Sequence, residues 1–397
     1  MDEKQLLYRI WLNDCCNHDP KQTNRLLKEI GTPEEIFHTD FHKPPYSKLL
    51  RMGQKLRLHH NLDLAAKFLE DCREKGISLI SIDDENYSNG LREVFDPPQI
   101  LYVKGNAPDF NRMLGVTVVG TRTGSDDGIK FSRKLGSDLA ASGAVVVSGM
   151  ALGMDAASQW GALEAGGTTV AVLAGGVDMI YPKENGDLYR HILTHGCIVS
   201  EQPPGTIGKK HFYHQRNRIM VGLSHAAAIV EGEEKSGTAI TTRLAMESNI
   251  DVFAVPGNPM NPYAALPNQL LRDGCTPLTD ALDIIEEYIG RYPEKLEYGI
   301  SLKGKPIVGV NHKEKIKNKE GDKASFEMWL RQKGFSPEEE KILRFLKDAE
   351  NAVTYDDIAD ACEMDAGVLG SQLIILQMKK AVSQSAGGQY KIEIGGA

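Results

Sequence analysis

Ala144-Val145-Val146-Val147-Ser148-Gly149-Met150-Ala151-Leu152-Gly153-Met154-Asp155 passes from an unbroken apolar run, through a turn holding two glycines, to the opening of a helical pattern. An apolar run without polar alternation marks a strand covered on both faces, as in a parallel sheet. The same grammar recurs on both sides. Residues 114–119 form an apolar run ending in Gly120-Thr121-Arg122-Thr123-Gly124, and residues 168–173 form one ending in Ala174-Gly175-Gly176-Val177-Asp178. Further strands are expected at 77–82, 198–200, 226–230 and 252–255, with helices at 126–142, 155–165 and 238–248. Strand–helix alternation of this length predicts a doubly wound, mostly parallel α/β core over residues 76–297.

Outward from that core the texture changes. Residues 1–75 read as a small helical domain of the SAM or helix-hairpin-helix kind. In it, Gly31-Thr32-Pro33-Glu34-Glu35 spells a helix stop, an N-cap, a first-turn proline and a capping-box glutamate. Residues 298–335 read as a Lys-rich linker, with seven lysines between Ser301 and Ser325. In residues 336–397, helices at 337–349, 354–362 and 367–380 and a hairpin of 382–385 with 389–394 around Ala386-Gly387-Gly388 predict a winged-helix domain. Its recognition helix, 368–378, is mostly apolar. Groove-reading helices need polar and basic side chains, so a protein contact or packing role is expected of it.

The chain has 397 residues with 46 basic and 54 acidic side chains, a formal charge of −8, and 41% hydrophobic residues. That composition excludes a chain disordered throughout, and no apolar run reaches the roughly 18 residues of a membrane helix. Met1-Asp2-Glu3-Lys4 does not open like a secretory signal, and six scattered cysteines form no CxxC pair. A cytoplasmic protein with reduced thiols is expected. The acidic total argues against a polyanionic partner, but its distribution argues otherwise. Residues 76–297 carry 18 basic and 27 acidic side chains, and inside that acidic segment Lys209-Lys210-His211-Phe212-Tyr213-His214-Gln215-Arg216-Asn217-Arg218 holds four cations and no acid. Cations neutralise successive phosphates while Phe and Tyr offer faces for unpaired bases. A second acid-free stretch, 43–60, with Lys48, Arg51 and Lys55, is explained equally well by an exposed helix face.

In an open parallel sheet ligands gather at the carboxyl ends of the strands. Those ends are glycine-rich here, and Lys235-Ser236-Gly237-Thr238 opens a helix, so together the loops predict an anion-binding rim. There is no GxxxxGK[ST] phosphate loop, and Gly120–Gly124 is not GxGxxG, which disfavours a nicotinamide dehydrogenase. No nucleophile–base pair, HExxH or zinc spacing is present. No catalytic residue, cofactor or metal is therefore expected. The alternative is an enzyme acting on a nucleotide-derived small molecule, for which Glu231 or Glu201 would be the candidate carboxylate.

Gly120-Thr121-Arg122, Ser148 through Asp155, Gly176-Val177-Asp178 with Tyr181-Pro182, Ser200-Glu201-Gln202-Pro203-Pro204, Arg216-Asn217-Arg218-Ile219, Ser236-Gly237-Thr238 and Ala254-Val255-Pro256-Gly257 occur in an order and spacing that resembles the DNA-processing protein A (DprA/Smf) family. The resemblance implies an extended Rossmann domain and a cytoplasmic protein. It also implies a role in natural transformation: binding single-stranded DNA without sequence preference, protecting incoming strands and loading the recombinase RecA. A homodimer through the Rossmann domain is implied as well. Carried onto this chain, the DNA contacts would be Thr121, Arg122, Lys209, Lys210, Phe212, Arg216, Asn217, Arg218 and Thr238. Gly120, Gly149, Gly153, Ser236 and Gly237 would shape the phosphate rim. After Pro256-Gly257 the chain departs from the family's Gly- and Ser-rich stretch and reads Asn258-Pro259-Met260-Asn261-Pro262.

Overall fold

Nine strands form one sheet in a computed structural model that describes residues 2–50, 60–292, 296, 330, 335–348, 353–362, 364–379, 381–384 and 389–392. Arg51, Lys55, the Lys-rich linker apart from residues 330 and 335, and the turn Ala386-Gly387-Gly388 lie outside the described residues. The chain divides into two compact units, Met1–Gly309 and Val310–Ala397.

The strands are β1 (Ile77–Ser81), β2 (Ile100–Gly105), β3 (Gly115–Val119), β4 (Val145–Ser148), β5 (Thr169–Val172), β6 (Gly196–Ser200), β7 (Ala226–Ile229), β8 (Asp251–Ala254) and β9 (Thr276–Pro277), in the order β1-β2-β6-β5-β4-β3-β7-β8-β9. From β6 to β9 every neighbouring pair is parallel. Val116 of β3 sits opposite Val146 on one side and Ala226 on the other, and all three are fully buried. The chain winds outward from β3 through β4, β5 and β6, then crosses back to β7. The crossing makes β3/β7 the topological switch point, where the carboxyl ends of an open α/β sheet leave a crevice.

Two features depart from the sequence reading. β2 and β9 were not expected as strands, and β1 is not part of the parallel run, because β1/β2 and β2/β6 pair antiparallel. The helices Glu3–Cys15, Pro20–Ile30, Pro33–Phe37 and Asp63–Glu74 form as the sequence suggests, with the Thr32/Glu35 capping box in place. They do not close a core of their own. Trp11, Leu12, Leu26 and Ile36 share one buried cluster with Ile77, Ile100, Tyr102, Ala171 and Ile198, so no packing break falls at residue 75. The described helices of this segment bury apolar side chains against the sheet as well as against one another, as Trp11 does with Phe37.

The second unit contains the helices Pro337–Asp348, Tyr355–Cys362 and Ala366–Met378 and an antiparallel pair, β10 (Val382–Gln384) and β11 (Tyr390–Ile392). On its last helix Leu369, Leu373 and Leu376 enter the core, whereas Val368, Ile374 and Ile375 are exposed.

Candidate nucleic-acid interface

Loops and helix starts following β3, β4, β5, β6 and β7 surround a cleft of 1120 Å³ at the carboxyl edge of the sheet. One wall is the helix Lys210–Gly222, which places Lys210, Tyr213, His214, Asn217 and Met220 along the cleft. These positions are three or four residues apart, the spacing of one helical face. Opposite them stand Gly120, Thr121 and Arg122 after β3 and Ser236, Gly237 and Thr238 after β7.

Arg122 is exposed and its guanidinium lies 5.8 Å from the centre of the Tyr213 ring. Tyr213 meets Tyr181 edge-on at 5.9 Å, and Tyr181 remains 59% exposed. A cation held over one aromatic face with a second ring beside it offers both a phosphate contact and a stacking surface. Burial pushes the Tyr213 hydroxyl's pKa up, so it stays a neutral donor near neutral pH. Ile207, 72% exposed, extends the apolar rim.

The floor holds two buried, oppositely charged side chains, Arg216 and Asp155. Arg216 donates to the carbonyls of Gly149, at 2.9 Å, and Val172, and its Nε donates to Asn217 Oδ1 at 3.1 Å. Asn217 keeps its amide nitrogen as a donor at the cleft wall. Asp155, also buried, accepts from Gly149 N at 3.1 Å. Burial raises the Asp155 pKa and lowers that of Arg216, and the attraction between the two charges opposes both shifts.

The helix Gly237–Glu247 points its N-terminus at the cleft. Ser236 Oγ accepts from Ala239 N at 3.3 Å and donates to the Glu233 carbonyl at 2.6 Å. First-turn N–H groups have no intrahelical partner, which makes this end an anion-attracting one.

Residues 78–289 match the family described as DNA recombination-mediator protein A. The chain belongs to that family. It is 39% identical over 215 residues to the DNA processing protein DprA of Bacillus subtilis, covering 54% of this chain and 72% of that one. The X-ray structure of DprA from Streptococcus pneumoniae is similar with a TM-score of 0.56 and 29% identity, covering 71% of this chain and 97% of that one. DprA from Helicobacter pylori, whose structure is described for its single-stranded DNA binding mode, gives a TM-score of 0.50 and 28% identity over 54% of this chain and 97% of that one.

Of the residues nominated for this DprA-family site, Gly120, Thr121, Arg122, Lys210, Arg216, Asn217, Ser236, Gly237 and Thr238 line one cleft. Gly149, Gly153, Lys209, Phe212 and Arg218 are not among its lining residues. Arg218 is 8% exposed and paired with buried Glu201 on the opposite side of the helix. Two residues along a helix turn the side chain by about 200°, so Arg216 and Arg218 cannot share a face. Phe212 is half-buried beneath Lys209 and His211, at 5.7 and 4.3 Å, leaving Tyr213 as the aromatic of the run that reaches the cleft.

Two of the nominated glycines leave no room for a side chain. A Cβ on Gly149 would lie 2.1 Å from Arg216 Nη1, and one on Gly153, at φ +80°, 2.5 Å from the Thr121 carbonyl. Both make room for neighbouring protein atoms. Tyr181, Lys183, Asp155 and Ile207 line the cleft without having been nominated. Tyr181 was visible only as part of the Tyr181-Pro182 motif. Glu201 and Glu231, the carboxylates of the enzymatic alternative, are buried and engaged, the first by Arg218 and the second by Ser125 and Asn261, and neither lines the cleft. Among the described residues no His, Cys, Asp and Glu cluster is arranged to hold a metal, and no helix is long and apolar enough to cross a membrane.

Proposed function

We propose that this protein binds single-stranded DNA without sequence preference and acts as a recombination mediator in the cytoplasm, protecting incoming strands and loading RecA during transformation. The observation that carries this reading is Arg122 stacked on Tyr213 at the mouth of a cleft whose other elements are exposed Lys210, the Tyr181 ring and a helix N-terminus. Phosphates meet the cations and the helix end; bases meet the rings. A duplex, its bases already stacked, makes no use of those rings. A homodimer through the α/β unit, and a winged-helix second unit used for protein contact through exposed Val368, Ile374 and Ile375, complete the proposal.

The experiment is a titration of labelled single- and double-stranded oligonucleotides of one length with the purified protein. Preferential binding of the single strand, insensitive to sequence, is expected; equal binding of both, or none, contradicts the reading. For the mediator step, the protein should accelerate RecA filament formation on single strands, and deletion of residues 336–397 should leave oligonucleotide affinity nearly intact.

A further inference from the structure

In a doubly wound sheet the N-terminus of the helix after the central strand is a usual seat for a phosphate. Here the helix Asp126–Ala141 follows β3, and the seat is filled from within. Glu231, at the end of β7 and 7% exposed, accepts from Ser125 N at 2.9 Å, from Ser125 Oγ at 2.6 Å and from Asn261 Nδ2 at 2.9 Å. A Cβ on Gly128, in the helix's first turn, would lie 2.6 Å from the Glu231 carboxyl carbon, so the carboxylate rests directly on that turn. The positive helix end and three donors offset the cost of burying its charge.

The same residue ties down the loop that carries Arg122. Thr121 N donates to the Glu231 carbonyl at 2.9 Å, and Ser125 is held by the Glu231 carboxylate. Arg122 therefore projects from a short span fixed at both ends by one residue. The loop after β8 is joined to it: Gly232 N donates to the Tyr263 carbonyl at 2.7 Å, and the Tyr263 hydroxyl lies 3.3 Å from Thr123 Oγ1. Asn261 stands in the segment where this chain departs from the family's Gly- and Ser-rich stretch.

We propose that Glu231 is a positioning residue for DNA binding, an internal anion that replaces a bound phosphate and holds Arg122 over Tyr213. The proposal rests on the single-stranded DNA reading and deepens it. Its sign sets it apart from simple electrostatics. Removing a carboxylate beside a phosphate-binding surface ordinarily strengthens polyanion binding. Removing one that holds the arginine weakens it.

The test is fluorescence anisotropy with a labelled oligothymidine across a salt series, using the full chain as wild type, Glu231→Gln, Asn261→Ala and Arg122→Ala. Glutamine keeps the shape and one acceptor oxygen, which Ser125 Oγ and Asn261 Nδ2 can go on sharing, but it turns a donor on the Ser125 N–H, or on the other two donors if the amide is flipped. Asn261 is half-buried in a surface loop, so its replacement leaves the core packing in place even where a change at Glu231 unfolds the protein. Glu231→Gln and Asn261→Ala are expected to lose about tenfold in affinity, the lower end of what removing the support of a ligand-binding group costs at metal sites. Their salt slope is expected to stay that of wild type, whereas Arg122→Ala lowers it. Wild-type binding with unchanged or tighter binding by Asn261→Ala overturns the positioning role alone. Absence of wild-type binding overturns the DNA reading and the positioning role with it.

Discussion

The guanidinium of Arg216 lies directly over the Cα of Gly149, leaving no room for a side chain: a Cβ would come within 2.1 Å of Nη1 and 2.4 Å of Nη2. The glycine that looked like part of a phosphate loop is the socket of a buried arginine. That arginine joins the carbonyl ends of β4 and β5 beneath the cleft, through Gly149 and Val172.

Gly149→Ala should therefore act on the floor before it acts on any ligand. The methyl group displaces Arg216 from the Gly149 and Val172 carbonyls. A loss of about 1–3 kcal/mol in urea unfolding is expected, the usual range for forcing an extra carbon into a packed site. A weaker oligonucleotide affinity should accompany it. Wild-type stability would show that the guanidinium can be re-seated without cost.

Arg218→Ala should destabilise without touching DNA. It leaves Glu201 buried without its cation, a change that costs about 3–5 kcal/mol in comparable buried pairs. Under conditions where the variant is folded, the salt slope of oligonucleotide binding should equal that of wild type. A lower slope would mean that Arg218 does contact phosphate.

Tyr213→Ala and Tyr181→Ala each remove a ring from the rim. Each should weaken single-strand binding by about 1–3 kcal/mol, the cost of one lost base stack, with little change in duplex binding. Phe212→Ala should leave binding nearly unchanged, since its ring is not part of the cleft. A larger effect at Phe212 than at Tyr213 would reverse the assignment.

His225 supplies a pH test of the fold. Its Nδ1 accepts from Gly115 N at 3.2 Å, and burial, reinforced by Arg291, lowers its pKa below the ordinary value of 6.5. A histidine depressed in the folded state binds fewer protons there than when unfolded. Stability should thus be full above the unfolded value and fall as pH drops below it, by at most about 1.4 kcal/mol per pH unit from this one group. Unfolding free energies between pH 7.5 and 5.5 should show a shallower dependence in His225→Gln. An unchanged dependence would assign it to other groups.

The parallel strands β3 to β8 were legible because each is an apolar run followed by a turn and a helix, signals confined to a few neighbouring residues, whereas the two-residue β9, Thr276–Pro277, has no such run. β2 carries no such frame: Ile100-Leu101-Tyr102-Val103-Lys104-Gly105 pairs antiparallel on both sides and leads directly to β3 rather than to a crossover helix. The cleft was legible as a set of loops but not as a surface. Read as a string, residues 209–218 give four equivalent cations. Folded as a helix, they send Lys210, Tyr213 and Asn217 one way and Arg218 the other. Ile219, Met220 and Val221, which follow that run, are buried on the same helix. What no local pattern could give is the partner of each charge, since Glu201 lies 17 residues from Arg218 and Gly149 lies 67 from Arg216.

The central claim is that Arg122 and Lys210 meet phosphates at the carboxyl edge of the sheet. Its most direct test is the salt dependence of single-strand binding by wild type, Arg122→Ala and Lys210→Ala. Each substitution should lower the magnitude of the log–log slope by about 0.7, the value for one phosphate contact on a single strand, and weaken binding equally on all sequences. Slopes identical to wild type in both variants would contradict the account and place the DNA elsewhere on the protein.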